Sequence, residues 1–277
     1  MKILVFMYDN RMNSLRNNLI EAGYEVIEGN NQQDINLSAK VANTLDGIVL
    51  PIQGVEDNGQ MKMQGETYNV NELFQNLSSK CIIFAGLKRN YMDALTNKII
   101  YMFSEEAVMV PNAILAAEGL LHQMIAYTDR SIFEYKVDII GYGHVGSAMA
   151  DILTKLKISV KMIITRPLKW SGEKNIILNG QNVAFEMLEE WKQEEPAGII
   201  IITVPIEVID EEISEIWEKR PLVIDMAKGR QGVSENAANS GKMILVKAPA
   251  LPALAAPDTA GTILADYIIS VTNEQGK

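Results

Sequence analysis

The sequence predicts an α/β protein built from two doubly wound parallel-sheet domains. Three observations carry that expectation. Short apolar runs of strand length alternate with helix-period segments in both halves of the chain. A glycine-rich turn, Gly141-Tyr142-Gly143-His144-Val145-Gly146, directly follows one such run in the second half. At 277 residues the chain is long for one compact domain and comfortable for two.

Continuous apolar runs mark parallel strands, because both faces of such a sheet are covered. In the first half they are 2–8, 24–27, 47–52, 81–86 and 98–103. Between the first two, Leu15, Leu19 and Ile20 recur at helical spacing and Gly23 stands where a helix stops, which predicts a flavodoxin-like βαβ opening. The polar stretch 57–66 reads as a loop or a small hairpin projecting from the sheet. From Pro111 to Thr128 a broad apolar pattern with Asn112 as N-cap predicts a helix joining two domains, the first spanning 1–128 and the second 129–257.

In the second half the expected strands are 135–143, 160–165, 198–205, 221–227 and 242–249, with helices reaching Lys157, around Phe185–Lys192 and from Asp210 to Trp217. A last helix, capped by Asp258, is expected to close the chain back onto the first domain with residues 258–277.

Composition narrows the partners. With 25 Lys and Arg against 35 Asp and Glu the net charge is −10, and no basic run concentrates the positive residues, so nucleic acid is not expected. The longest apolar stretch, 197–209, contains Pro205 and Glu207 and is too short for a bilayer; the chain begins in a strand pattern rather than a signal core. The lone Cys81 lies in a strand run and reads as a core residue. A cytoplasmic protein without membrane or metal is the expectation, with a homodimer as the commonest assembly.

The turn at 141–146 has the spacing G-x-G-x-x-G, weak alone and stronger between a strand and a helix. There Gly141 allows the tight turn, Gly143 lets the backbone approach a pyrophosphate and Gly146 lets helix and strand meet. Tyr142, His144 and Val145 complete the loop, and the helix start holds the anion. This predicts a Rossmann dinucleotide-binding domain. At the end of the next strand an NAD site usually has a carboxylate; this chain has Thr165, Arg166 and Lys169, which favours the 2′-phosphate of NADP and leaves NAD as the alternative. Thr203, Val204 and Pro205 fall where the nicotinamide ribose passes, and Asp225 and Lys228 follow the next strand toward the same crevice.

Several motifs together resemble one family. They are YDNR at 8–11, PIQGVEDNG at 51–59, AEG at 117–119, GYGHVG, DMAKGRQGV at 225–233 and APALPALAAPDTAG at 248–261, and the family is the A subunit of dipicolinate synthase. The resemblance implies an N-terminal α/β domain, a C-terminal NADP-binding domain, oxidation of a dihydro- or hydroxytetrahydro-dipicolinate ring, a sporulation setting and a flavoprotein-like second subunit. A small dicarboxylate needs cations, for which Arg11, Arg89 and Lys228 are candidates, with Arg11 first and Asp9 holding it. Glu118 and His122, one helical turn apart, are candidates for the base facing an interdomain cleft. The chain departs from the family pattern at Met7-Tyr8-Asp9, Leu115-Ala116, Ala250, Ala253, Leu254 and Lys228. Those departures keep open a dehydrogenase of another hydroxy or amino acid, or a catalytically silent nucleotide-binding regulatory subunit.

Overall fold

The computed structural model describes residues 1–167, 175–226 and 232–274. Its contacts divide the chain into two units, Met1–Asn112 with Ala256–Lys277, and Ala113–Ala255. The expected boundary at 128 lies farther along: the division falls inside the connecting helix.

The first unit begins with β1 (Lys2–Phe6), α1 (Arg11–Glu21), β2 (Glu25–Gly29), α2 (Gln32–Lys40) and β3 (Gly47–Val49). The hairpin β4 (Gln60–Met63) and β5 (Glu66–Asn69) follows, then α3 (Asn71–Gln75), β6 (Ile82–Ala85), α4 (Asn90–Asp93) and β7 (Ile99–Tyr101). Five strands form one parallel sheet in the order β2-β1-β3-β6-β7. The order reverses between β1 and β3, and in such sheets ligands gather at the carboxyl ends of the strands beside that reversal. One face packs Leu4, Phe6, Ile48 and Ile83 against α2 and the hairpin, and the other packs Ile3, Val5, Val49 and Phe84 against α1. The expected stretch 57–66 thus holds the first strand and turn of a hairpin that runs on to Asn69, and Met61 and Met63 turn inward because alternate residues face the core. Its tip is tied to the sheet, since the Gln64 side-chain amide donates to the Met7 carbonyl at 2.6 Å.

Helix α5 (Glu106–Tyr127) starts earlier than expected. Asn112 is inside it rather than at its cap, and Pro111 lies in its second turn. Proline costs the helix one backbone bond there, and burial of Val108, Ala113 and Leu115 offsets the loss. Among the described residues α5 is the one helix long and apolar enough to cross a membrane by length and composition. Ala117, Leu120 and Met124 on it enter the core of the second unit.

The second unit continues with β8 (Lys136–Ile140), α6 (His144–Lys155), β9 (Ser159–Ile164), β10 (Asn175–Leu178), β11 (Gln181–Met187), α7 (Leu188–Trp191) and β12 (Ile199–Ile202). It ends with α8 (Glu211–Glu215), β13 (Leu222–Asp225), α9 (Glu235–Asn239), β14 (Ile244–Lys247) and α10 (Leu251–Ala255). The sheet order is β10-β11-β9-β8-β12-β13-β14, with only β10 antiparallel. Without β10 this is the six-stranded order of a dinucleotide-binding Rossmann sheet.

One expected helix is corrected here. Residues 181–187 form a strand because Val183 and Phe185 alternate into the core while β11 pairs with β9, and only Leu188–Trp191 is helical. The closing helix α11 (Pro257–Glu274) begins with proline at its first position, one residue before the expected Asp258 cap. It packs on α1 in the first unit: Ser14 Oγ donates to Asp258 at 2.7 Å and Asn18 to Thr262 at 2.9 Å.

Candidate functional site

In the second unit the carboxyl ends of β8, β9, β12 and β13 bring together most of the expected nucleotide residues, at the reversal between β8 and β12. Gly141 has φ +111°, a conformation open to glycine, and a Cβ there would strike the Thr203 hydroxyl and the Val204 methyl. A Cβ on Gly146 would overlap the Gly141 carbonyl oxygen, so this glycine is what allows α6 to start so close to β8. Gly143 is different. A Cβ there would meet nothing within 4 Å.

That open space lies over the start of α6. Gly143 is its N-cap residue, no side chain caps the helix, and its first turn carries no acidic residue. Its first amides and the positive end of its dipole are therefore available to an anion. Ser147, whose hydroxyl donates to the Gly143 carbonyl at 2.8 Å, tightens the turn. Tyr142 is partly buried and meets Phe185 of β11 edge to face at 5.0 Å, so the loop is braced on the third strand of the classical order. His144 is exposed and Val145 packs on the core.

Around this cradle, Thr165 and Arg166 are exposed at the end of β9. Lys169 lies outside the described residues. Thr203 spends its hydroxyl on the Ile140 carbonyl at 3.0 Å, Val204 is partly buried and Pro205 is exposed at the end of β12. Asp225 departs from the expectation of a crevice-facing carboxylate. It is 3% exposed and accepts the Gly232 amide at 3.0 Å. Lys228 lies outside the described residues.

Arg11 requires the same correction. The sequence places it as a ligand-facing cation, but it is 3% exposed at the start of α1. Its Nε donates to both oxygens of Asp9, at 3.0 and 3.1 Å, and its terminal nitrogen to Oδ2 at 2.5 Å. The guanidinium also lies over the rings of Tyr8 and Phe103, 5.6 and 5.9 Å from their centroids. Burial of an unpaired cation is costly, and Asp9 removes that cost. Burial also holds the Tyr8 phenol well above its ordinary range, against the pull of the Arg11 charge.

Glu118 and His122 line the same pocket of the second unit. Both are exposed on α5 and line a pocket of about 370 Å³ with Gly119, Gln123, Leu251, Leu254 and Ala255. Gly119 makes the approach of α10 possible, because a Cβ there would come within 2.8 Å of the Leu251 Cβ. The pocket thus combines a carboxylate, an imidazole and an amide with aliphatic walls.

One feature escaped the sequence reading. Asp138, within β8 and 2% exposed, accepts the Trp191 indole at 2.8 Å and the Ala197 amide at 2.9 Å. A carboxylate inside an apolar strand was the visible signal. Cys81 is fully buried, and burial pushes its thiol up to about 12, so it is an inert core residue. Among the described residues no group of three His, Cys, Asp or Glu side chains comes together to hold a metal.

The two parallel sheets with their reversal points are similar in fold to solved dehydrogenases. The structure of NAD-dependent formate dehydrogenase from Staphylococcus aureus in complex with NAD superimposes with a TM-score of 0.57 at 14% identity, covering 99% of this chain and 95% of that one. Residues 9–102 match the family defined by the N-terminal domain of the dipicolinate synthase A subunit. The A subunit of dipicolinate synthase from Bacillus subtilis (strain 168) is 24% identical over 244 residues, 84% of this chain and 81% of that protein. The crystal structure of the dipicolinate synthase A chain from Bacillus subtilis has a TM-score of 0.83 at 22% identity, covering 99% of this chain and 96% of that one. The chain is thus similar over most of its length to the A subunit of dipicolinate synthase, and the family match covers residues 9–102.

Proposed function

We propose that the protein is a cytoplasmic NADP-dependent oxidoreductase that oxidises dihydrodipicolinate, or its hydroxytetrahydro precursor, to dipicolinate. The observation that carries the reading is the uncapped start of α6, where Gly141 and Gly146 shape the turn and open space lies over Gly143. Those residues suit a pyrophosphate; Arg166 suits a 2′-phosphate and leaves NAD as the weaker ligand.

When bound, NADP supplies a hydride acceptor. The dihydro ring gives up a hydride and one proton and becomes an aromatic pyridine, and the hydroxytetrahydro precursor must lose one water as well. Glu118 and His122, side by side on one pocket wall, suit the proton. The aliphatic side chains of Leu251 and Ala255 opposite them suit the flat ring and exclude water from it. A homodimeric assembly and a flavoprotein-like second subunit belong to the same reading.

A second reading, oxidation of another hydroxy or amino acid, is favoured by the burial of Arg11 on Asp9, which removes the cation first expected to meet a dicarboxylate. One experiment separates them. The chain is mixed with NADP and dihydrodipicolinate, with and without the flavoprotein-like partner, and absorbance at about 340 nm, the reduced nicotinamide band, is followed. Appearance of that band is expected. Saturable NADP binding with no turnover on dihydrodipicolinate, but turnover on a small 2-hydroxy acid, selects the second reading; no turnover on either leaves a silent nucleotide-binding protein, and absence of saturable binding ends all three.

A further inference from the structure

We propose that Arg89, rather than Arg11, is the residue of the first unit that binds a substrate carboxylate; this deepens the oxidoreductase reading and rests on it. Arg89 lies in the loop that follows β6, and that loop is zipped to the one following β3. A Cβ on Gly86 would overlap the Ile52 backbone, so the two chains touch main chain to main chain. The Leu87 amide donates to the Ile52 carbonyl at 2.8 Å, and Arg89 Nε donates to the Gln53 carbonyl at 2.9 Å. Gly54, at φ +69°, completes the bed: a Cβ there would press on the Arg89 Cγ at 3.2 Å.

The consequence is a guanidinium fixed by its inner nitrogen. One bond to a backbone carbonyl sets the plane of the group, and the two outer nitrogens form the fork that matches a carboxylate. Among the described residues those outer nitrogens have no hydrogen-bond or carboxylate partner, although Arg89 is partly buried. Nearby acids are engaged elsewhere, Asp57 with the Asn90 amide at 3.3 Å and Asp93 with Lys88 at 3.5 Å. Arg11 offers the contrast: it is buried and its fork is closed on Asp9. Of these two arginines, only Arg89 combines a preset orientation with open donors, at the carboxyl edge of the sheet where such folds place ligands.

The test uses the full chain with NADP present and measures calorimetric binding of pyridine-2,6-dicarboxylate and of a panel of small 2-hydroxy acids. Arg89→Gln is expected to weaken whichever carboxylate binds on the order of 10- to 100-fold, as loss of a charge-assisted bond does, while NADP affinity is unchanged. Arg89→Lys is expected to fall between the native chain and Arg89→Gln, because it keeps the charge but loses the fork and the bond to Gln53. If Arg89 merely braced the two loops, Lys and Gln would be equally harmful, and that result overturns the proposal. Native-like carboxylate binding by Arg89→Gln overturns it too, as does a native chain that binds none of these acids. Binding of a 2-hydroxy acid that depends on Arg89, with no binding of the dicarboxylate, upholds Arg89 and sinks the dipicolinate reading; loss of NADP binding in the native chain sinks the oxidoreductase reading separately.

Discussion

Gly146 and Gly141 meet so closely that a single methyl group on Gly146 would overlap the Gly141 carbonyl oxygen. The same turn contains Gly143, over which a methyl group would find nothing within 4 Å. These two positions therefore separate what the fold needs from what a ligand needs.

Gly146→Ala is expected to destabilise the second domain by about 1–3 kcal/mol, because backbone must move to admit the methyl group. Gly143→Ala should leave the melting temperature nearly unchanged, yet weaken NADP at least about tenfold by occupying the ground where a pyrophosphate approaches. Calorimetric melting and a nucleotide fluorescence titration on both variants check the pair. Native affinity in Gly143→Ala would mean that the open space is not a phosphate site.

Arg166 follows β9, where the second strand of a Rossmann unit meets the adenosine ribose. It is exposed, and none of the hydrogen bonds or ion pairs among the described residues uses it. Arg166→Ala should weaken NADP on the order of 10- to 100-fold and change NAD by less than about twofold, since only the 2′-phosphate offers it a charge-assisted bond. Paired dissociation constants for the two nucleotides decide this. Equal losses for both would reassign Arg166 to the shared part of the ligand.

Both sheets were legible in the sequence for one reason: strands covered on both faces must be apolar throughout, and Ile3–Phe6 or Ile199–Ile202 admit few other readings. Residues 181–187 were not legible, because the run that ends β11 passes without a break into Leu188–Trp191, and helix formers there mask the alternation of Val183 and Phe185. Pro111 misled in the opposite direction, looking like a helix start while sitting in a second turn. The glycine turn, and the placing of Glu118 and His122 on one helix face, were visible because their spacing is local. The commitment of Arg11 to Asp9, and of Asp225 to Gly232, is settled by burial, which a pattern of letters does not contain.

For Arg11 the prediction concerns stability. Arg11→Ala leaves Asp9 without its cation and empties the space against Tyr8 and Phe103, so a loss of about 3–5 kcal/mol is expected in urea unfolding, as for other broken buried pairs. NADP binding by the second domain should survive wherever the variant folds. A stability change below about 1 kcal/mol together with a lost carboxylate affinity would return Arg11 to the role of ligand anchor.

Asp138 ties β8 to the Trp191 indole and the Ala197 amide. Burial raises its pKa above the ordinary carboxylate value, in spite of those two hydrogen bonds and the Lys161 charge. The folded chain therefore holds this proton more tightly than the unfolded chain does. The stability it contributes is complete below about pH 4, the ordinary Asp range, and is lost as pH rises through the folded value. Asp138→Asn retains an oxygen that accepts from both donors and has no charge to desolvate. It should be as stable as the native chain at neutral pH, or more stable by about 1 kcal/mol, and its stability should lack the decline above pH 4. Asp138→Ala leaves two buried donors without an acceptor and should lose about 2–4 kcal/mol at every pH. Urea midpoints of the three proteins across the acid range measure both effects. An Asn variant as damaged as the Ala variant would show that the ionised carboxylate itself, held by Lys161, stabilises this strand.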